Sequence, residues 1–580
     1  LKLNAFINGK TVSITRDHPD DRLHFGKEIS LKIYDRQEIA AGQSRYQIVQ
    51  QPIFNTKSRM LNNRRGDLML LINGMPLIHI ELKKSDVPVS QAYQQIEKYA
   101  HEGVFRGLYN AMRETLKTIG INEADLFLHC DASFKQASKF IDWYSISGNQ
   151  NNVNSHHHYY HPFSLPQVIT NRNLANYIGG NSSTAENSAT FAQLACYQSV
   201  LCEQNLSPKH ITHKAYDFIA NYGYHLDATK FSELLKEHCI KNLNVKYVLS
   251  HITNIQNNED DEISHVLTDM NGAIYGDLFV DCSGAKSLLL GQHYKIPFCS
   301  KKHYLFNDSA LAVQIAYKQD DSPIASCTHS TAKSSGWIWD IGLQSRRGIG
   351  HTYSSQHTSE LAAENELRQY IQNLELDSNA KLSIKKLDFT PGYYEKFWHK
   401  NCVAVGMASG FIEPLEASAL AMIEQSAHMI SDQLPKTKQT MSIVAKRFNE
   451  KFTIHWQQII EFLKLHYVLS QRDDSDYWLD NKKAETIPDS LKEMLEVWKY
   501  QPPSKYDIPQ SSPLFPAASY QYVLYGMNFH TQAKNTSVEE SNRIKQVLND
   551  VKIKRQQLAR ALEPNRALIN KIKQYGLTKI

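Results

Sequence analysis

Along the first hundred residues, apolar and polar positions alternate in short runs between charged turns. Asp67-Leu-Met-Leu-Leu-Ile72 and Pro76-Leu-Ile-His-Ile-Glu-Leu-Lys83 flank Asn73-Gly74, and Asn-Gly between two apolar runs predicts a β-hairpin. From Val89 to Tyr99 the apolar and aromatic residues recur at helical spacing, so a helix behind a sheet edge completes a small α/β unit over 1–108. The texture changes near Asn110. Arg113 to Leu128 reads as two short helices broken at Gly120. Residues 145–190 are loop-rich, and strands return over 246–315. Among these, Leu278-Phe-Val-Asp-Cys-Ser-Gly284 is an apolar run closing on a glycine turn, the pattern of a buried strand whose end faces a ligand. The pattern turns helical and amphipathic from about 419 to 500, and a last basic helix is expected from Ser537 to Ala561. The fold class is α/β (α+β) with a mainly helical C-terminal part, without internal repeats.

Composition narrows the class further. At 42% hydrophobic and 21% charged residues the chain carries enough apolar surface to fold, which excludes intrinsic disorder and a collagen-like repeat. Lys and Arg number 64 against 59 Asp and Glu, a net +5, so any contact with nucleic acid is local rather than a general attraction. Eight cysteines are scattered without a CxxC pair, as for reduced thiols in the cytoplasm. No apolar run approaches the ~18 residues of a membrane span, and the polar start lacks a signal-peptide pattern. These features predict a cytoplasmic protein. The first residue is Leu rather than Met, which suggests a piece of a longer reading frame or a processed product.

Two constellations carry chemistry. The first is Asp67, Glu81 and Lys83. Glu81 and Lys83 share one face of a strand, and the hairpin brings Asp67 alongside. Two carboxylates beside a cation suit Mg²⁺ held against a phosphate, while a hairpin with surface charges has the same spacing. The run Arg65 to Lys84, followed by Gln95 and Tyr99 in Gln-x-x-x-Tyr order, resembles the N-terminal nuclease domain of type I restriction enzyme R subunits over about 1–108. That resemblance implies a DNA substrate and Mg²⁺ on Asp67 and Glu81. No GxxxxGK[ST] loop follows: Gly9-Lys10-Thr11 has Asn4 where the first glycine belongs. A working ATP-driven motor subunit is therefore excluded.

The second constellation begins with Asn401-Cys-Val-Ala-Val-Gly406-Met-Ala-Ser-Gly410-Phe-Ile-Glu413-Pro-Leu-Glu416. An apolar strand runs into glycines, and two carboxylates then bracket a proline at a helix entry. Such a backbone can approach a flat cofactor and offer amides to an anion. Upstream, Trp337 and Trp339 stand on one side of a strand, as core packing or as the wall of a ligand channel. With Phe134-Lys135, Asp281-Cys-Ser-Gly284, Glu461 to Tyr467 and Arg472 to Trp478, these segments resemble the flavin-dependent tryptophan halogenases over about 113–580.

The resemblance implies a truncated FAD-dependent monooxygenase-like fold with an FAD and substrate region over 113–420 and a helical region over 421–580. It implies a reaction in which FADH2 meets O2, halide attacks the flavin peroxide, and hypohalous acid travels to a small indole-type substrate. A separate flavin reductase would supply the FADH2, and a homodimer is left open. Lys135 would hold the oxidant as a hydrogen-bonded acid or a haloamine. Glu416 would polarise it and receive the ring proton. His161 and Phe163 match the substrate-stacking pair, and Trp337 and Trp339 the channel wall. Gly284, Gly406, Gly410, Phe411 and Ile412 would line the cofactor, and the halide would sit on amides at Ser418 and Ala419.

The chain departs from that family at several places. Its first strand and GxGxxG turn are missing, so several charge-assisted bonds to the FAD pyrophosphate are lost and weak flavin binding and an exposed sheet edge are expected. Gly342 stands where a proline is usual, and the segment Phe515 to Tyr525 does not match the grip on a free amino acid. An N-terminal nuclease-like segment fused to most of a halogenase is the expected organisation; DNA cleavage by the first segment and an inactive fusion product are the alternatives. His156-His-His158 reads as a polar loop, and Lys552 to Arg560 as the solvated face of a helix.

Overall fold

The computed structural model describes residues 111–580 except 146–156, 170–171, 179–189, 375, 377–381, 509–512, 533–536 and 579–580, and within 1–110 it describes seven short strands. The chain forms two compact units, Leu1–Arg106 and Gly107–Ile580. In the first, Tyr46–Gln50, Leu68–Ile72 and Met75–Ile80 make an antiparallel sheet. The expected hairpin is there, pairing Leu68 with Ile80 and Ile72 with Met75. Its register slips where Leu71 meets Pro76, a residue without an N–H for the ladder. Asp67, Glu81, Lys83, Gln95 and Tyr99 lie outside the described residues, as does the expected helix over Val89 to Tyr99.

The second unit is organised by a seven-stranded sheet. Its strands lie in the order His158–Pro162, Ala137–Ile141, Thr328–Lys333, Gly336–Gly342, Arg346–Tyr353, Ser309–Ala316 and Lys385–Asp388. Only the Ala137–Ile141 and Thr328–Lys333 neighbours run parallel. Trp339 lies opposite Gly350, and a Cβ on Gly350 would fall 2.0 Å from the indole, so the large ring needs the glycine. One face of the sheet packs on the 31-residue helix Lys438–Val468 and its neighbours, in a core containing Trp143, Trp337, Phe462, Tyr467 and Trp478. Helix Ala517–Gly526 closes against His158–Pro162. There Gly526 sits so near Tyr159 that a Cβ would meet the ring at 2.5 Å.

Two short helices, Ala111–Thr118 and Glu123–His129, break at Gly120 with φ +85°, as the sequence predicts. They lead to strand Ser133–Lys135, which pairs with Gly223–His225. A buried charge cluster fixes this strand pair. The Glu123 carboxylate is fully enclosed and accepts from Lys209 Nζ at 2.7 Å, Tyr222 Oη at 2.5 Å, Tyr224 Oη at 2.9 Å and the Tyr216 N–H at 2.5 Å. Every acceptor position is used, which is what makes a buried carboxylate tolerable. Phe134, the residue before Lys135, packs edge-on against Tyr222 at 5.0 Å.

Strand Phe279–Asp281 differs from its expected burial. It pairs in parallel with Cys402–Ala404, but among the described residues nothing pairs with its other edge, and Val280 is 46% exposed. Parallel strands are ordinarily covered on both faces; here the apolar run ends at a sheet edge. Helix Ala228–Asn242 buries no residue fully. The basic helix Val538–Ala561 starts at the Ser537 cap with its Glu540 partner and buries only Val551 and Leu558. Among the described residues no helix is long and apolar enough to cross a membrane, and no group of three His, Cys, Asp or Glu side chains is placed to hold a metal.

The Glu123 cluster gives a stability prediction. Glu123→Leu leaves the Lys209 ammonium buried without its carboxylate and should cost about 3–5 kcal/mol in denaturant unfolding. Adding Lys209→Met should recover most of that loss. A cost below about 1 kcal/mol for Glu123→Leu would show that the cluster does not hold the strand pair.

Candidate functional site

The site is built around a strained turn. Strand Cys402–Ala404 ends at Gly406, the chain folds back through Gly410–Phe411, and Glu413-Pro-Leu-Glu416 leads into helix Ser418–Asp432. Glu416 and Ala417 both adopt left-handed backbone angles, φ +62° and +51°. Two adjacent non-glycine residues there cost on the order of 1–3 kcal/mol each. The kink separates the carboxylate from the helix it precedes and lodges it in the interior, where its side chain is 3% exposed.

Three elements meet that carboxylate. His161 Nδ1, from strand His158–Pro162, lies 2.8 Å from Glu416 Oε1, and its Nε2 lies 3.0 Å from Ser519 Oγ. His466 Nε2, from the long helix, is 3.3 Å from the same Oε1. Burial alone would push the Glu416 carboxyl up, but the charge and hydrogen bond of His161, followed by His466, hold it below the usual carboxylate range. Lys135 is 8% exposed; burial pushes its amine down, opposed by the charge of Glu416. Its Nζ is 5.6 Å from the centre of the Phe163 ring. Opposite Lys135 in the strand pair is Gly223, where a Cβ would touch Phe163 at 3.5 Å. The structure therefore gathers Lys135, Glu416, His161 and Phe163.

Trp337 and Trp339 share a strand face as expected, their rings 6.2 Å apart and edge to face. Trp337 is in the core and also donates from Nε1 to Glu413 Oε2 at 2.7 Å. Glu413 accepts from Asn307 Nδ2 at 2.5 Å and Tyr467 Oη at 2.8 Å as well, while Tyr477 Oη donates to Asn307 Oδ1 at 3.0 Å. Burial pushes the Glu413 carboxyl up, and these donors oppose it. Lys464 lies nearby, fully buried, with Nζ 2.7 Å from Asn481 Oδ1. Sequence reading singles out neither Glu413, Asn307, Ser519 nor His466 for a role. A signal existed: Lys464 and His466 interrupt the apolar run Phe462 to Tyr467 on two sides of one helix, which leaves that last stretch of the helix without a solvent face.

Gly284 and Gly406 turn at φ +71° and +67° in neighbouring segments joined by Ser287 Oγ donating to Ala408 O at 2.9 Å. The Asp281 carboxylate pins the first turn by accepting the N–H groups of Ser283, Leu289 and Leu290 at 2.9–3.0 Å. A Cβ on Gly284 would meet only open space, and Met407, Leu420 and Ile423 remain 47%, 48% and 37% exposed. Open glycine turns beside exposed apolar side chains fit a flat ring system, while the sequence supplies no G-x-G-x-x-G turn for a pyrophosphate. Gly410 is demanded by packing, since a Cβ would strike Tyr393 at 2.6 Å. Phe411 stacks edge-on with Phe389 at 5.0 Å, and Ile412 belongs to the main core. Ser418 and Ala419 open helix Ser418–Asp432, where backbone N–H groups have no acceptor inside the helix.

A family model described as tryptophan halogenase matches residues 94–542. The chain belongs to the tryptophan halogenase family. Tryptophan 6-halogenase SttH of Streptomyces toxytricini is 30% identical over 445 residues, which cover 73% of this chain and 81% of that protein. Among solved structures, a tryptophan halogenase from Shewanella frigidimarina NCIMB 400 is 48% identical, with a TM-score of 0.77 over 81% of this chain and 88% of that one. Tar14, a tryptophan C-6 flavin-dependent halogenase from taromycin biosynthesis, is 27% identical with a TM-score of 0.73, covering 80% and 90% of the two chains. A second model, the type I restriction enzyme R protein N terminus, matches residues 10–152. A Staphylococcus aureus (strain COL) type I restriction endonuclease subunit is 26% identical over 155 residues, 26% of this chain and 15% of that protein. The two models overlap over 94–152.

Burial pushes the Lys464 amine down to about 7, against the attraction of Glu413. The folded state then binds fewer protons than the unfolded state between about 7 and the ordinary lysine value near 10.4. Lys464 therefore makes stability rise with pH across that window, at a slope of up to roughly 1.4 kcal/mol per pH unit. Lys464→Met should remove this rise in urea titrations run from neutral to alkaline pH. An unchanged slope in the variant would contradict the assignment.

Proposed function

We propose that this chain halogenates an indole-type aromatic substrate. The observation that carries the reading is the convergence of a buried lysine and a glutamate with a buried side chain on one aromatic-walled site, Lys135 and Glu416 beside His161 and Phe163. Bound at Gly284, Gly406 and the exposed apolar side chains near them, with the Ser418 and Ala419 amides for a halide, reduced flavin with O2 and halide would supply hypohalous acid. A flavin reductase is the partner that would deliver the flavin in reduced form.

Each residue type suits its step. Desolvation favours the neutral Lys135 amine, which can hold hypohalous acid by hydrogen bonds or exchange its N–H for N–halogen with release of water. His161 and Phe163 give an aromatic ring two surfaces to pack against. As the ring carbon gains halogen, positive charge spreads over the ring and the Glu416 carboxylate stabilises it. The ring proton then passes to Glu416. A weakly basic carboxylate suffices because the halogenated cation is a strong acid. Trp337, held by Glu413, walls the interior beside this site. The halogenases named above are tryptophan halogenases; here the substrate class proposed is an indole, free or carried on a larger molecule.

The first 108 residues support a second reading of their own. Their match to the restriction R protein N terminus favours Mg²⁺-dependent DNA cleavage through Asp67, Glu81 and Lys83. Plasmid nicking that disappears in Asp67→Ala would establish it, and nicking unaffected by that change would remove it. All eight cysteines are free thiols, in keeping with the proposed cytoplasmic setting.

With a flavin reductase, halide and an indole substrate, Lys135→Ala should abolish halogenated product while flavin oxidation continues. Glu416→Gln should lower turnover by about 10²–10⁴-fold. Product yields unchanged by Lys135→Ala would overturn its role. Without a pyrophosphate turn, the purified chain should lose added FAD on gel filtration; stoichiometric retention would refute the weak binding.

A further inference from the structure

His466 is fully buried on helix Lys438–Val468. The rings of Phe140, Phe462 and Trp143 enclose it at 4.8, 5.3 and 5.8 Å. Its two nitrogens meet different chemistry. Nδ1 lies 2.9 Å from the Phe462 carbonyl oxygen, a group that only accepts, so Nδ1 carries a hydrogen. Nε2 makes no aligned hydrogen bond among the described residues, and it faces Glu416 Oε1 at 3.3 Å. That oxygen already receives the hydrogen of His161 Nδ1. His161 can do this as a neutral ring, because its Nε2 can accept the Ser519 hydroxyl hydrogen at 3.0 Å.

His466 has no such arrangement. Were Nε2 bare, its lone-pair density would lie within 3.3 Å of a carboxylate oxygen in a desolvated site, and although the contact is not aligned as a hydrogen bond, repulsion between two acceptors is strong there. A hydrogen on Nε2 turns the contact into an ion pair. We infer that His466 is a positioning residue of the reaction site, holding a proton on Nε2 against Glu416 Oε1. The other titratable groups facing Glu416 are Lys135 and Tyr159, whose amine and phenol feel its charge, and His161, whose Nδ1 lies 2.8 Å from Oε1.

The arrangement changes what Lys135 has to do. Glu416 already has its countercharge in His466, so Lys135 need not remain an ammonium to balance it, and a neutral amine is the form that reacts with an electrophilic halogen. Both histidine contacts fall on Oε1 of Glu416, so Oε2 is the oxygen assigned to take the ring proton. In that step the C–H bond breaks, its electrons restore the aromatic ring, and the proton bonds to oxygen. The use of this proton rests on the proposed halogenation; its presence does not.

The test therefore needs no flavin. The full chain carrying ¹⁵N-labelled histidine rings is observed by long-range ¹H–¹⁵N correlation at neutral pH, with His466 assigned from the signal lost in His466→Gln or, should that variant not fold, in His466→Asn. Both ring nitrogens are expected to be protonated in the unsubstituted chain. In Glu416→Gln, Nε2 is expected to lose its hydrogen. A bare Nε2 in the unsubstituted chain, or a His466 signal that ignores Glu416→Gln, would overturn the inference. Lost activity with intact His466 protonation would instead count against the halogenation reading alone.

Discussion

A carboxylate removed from water must be met by donors, and the architecture around Glu416 follows from that requirement. The donors come from distant parts of the chain. His161 is supplied by an edge strand of the large sheet, Ser519 behind it by a helix that packs on that strand, and His466 by the long helix beneath. Each contact fixes one element against the next. The left-handed pair Glu416 and Ala417 is tolerated because these contacts overdetermine it, which is the usual condition under which backbone strain persists.

Pro414 and Leu415 separate two carboxylates with different surroundings. Glu413 is enclosed by three donor side chains, those of Trp337, Asn307 and Tyr467, the single Tyr467 hydroxyl lying 2.8 Å from both carboxylate oxygens. Glu416 has one well-formed hydrogen bond and one ion-pair contact, both on Oε1. The first is an anchor and the second is the one proposed to act on substrate, although the sequence writes them three residues apart with the same letter. Polar networks of the Glu413 kind specify a single packing arrangement when every member is satisfied. Here that arrangement fixes the indole of Trp337, and through it the wall of the site.

What was legible in the sequence was local. The hairpin at Asn73-Gly74, the helix break at Gly120, the paired indoles and the Ser537 helix start all rest on neighbouring residues, and each is present. Lys135 and Glu416 were reached through motif resemblance, because a lysine inside Ser-Phe-Lys carries no sign of its burial. His466 and Asn307 escaped for a related reason. Their importance comes from pairings across 50 and 106 residues of chain with Glu416 and Glu413, and periodicity registers nothing at that range. The apolar run before Gly284 misled in the opposite sense: it reads as a buried strand because apolar runs ordinarily are, and only the sheet order shows an open edge beside it.

That open edge bears on how the chemistry is distributed. Lys135, Glu416, His161 and Trp337 are fixed by the seven-stranded sheet, the long helix and the Glu123 cluster, all inside the second unit. The glycine turns suited to a flavin ring rest instead on the short parallel pair Phe279–Asp281 and Cys402–Ala404, whose outer edge has no partner among the described residues. Trp398–His399 makes this a three-stranded sheet, which still gains little at its open parallel edge, since parallel strands depend on cover from both faces. Loss of order at that edge would remove the platform for the ring while leaving the lysine, the glutamate and their histidines in place. The proposed flavin platform and the proposed proton arrangement at Glu416 are therefore carried by different parts of the sheet system, and weak flavin binding at the one would not imply damage at the other.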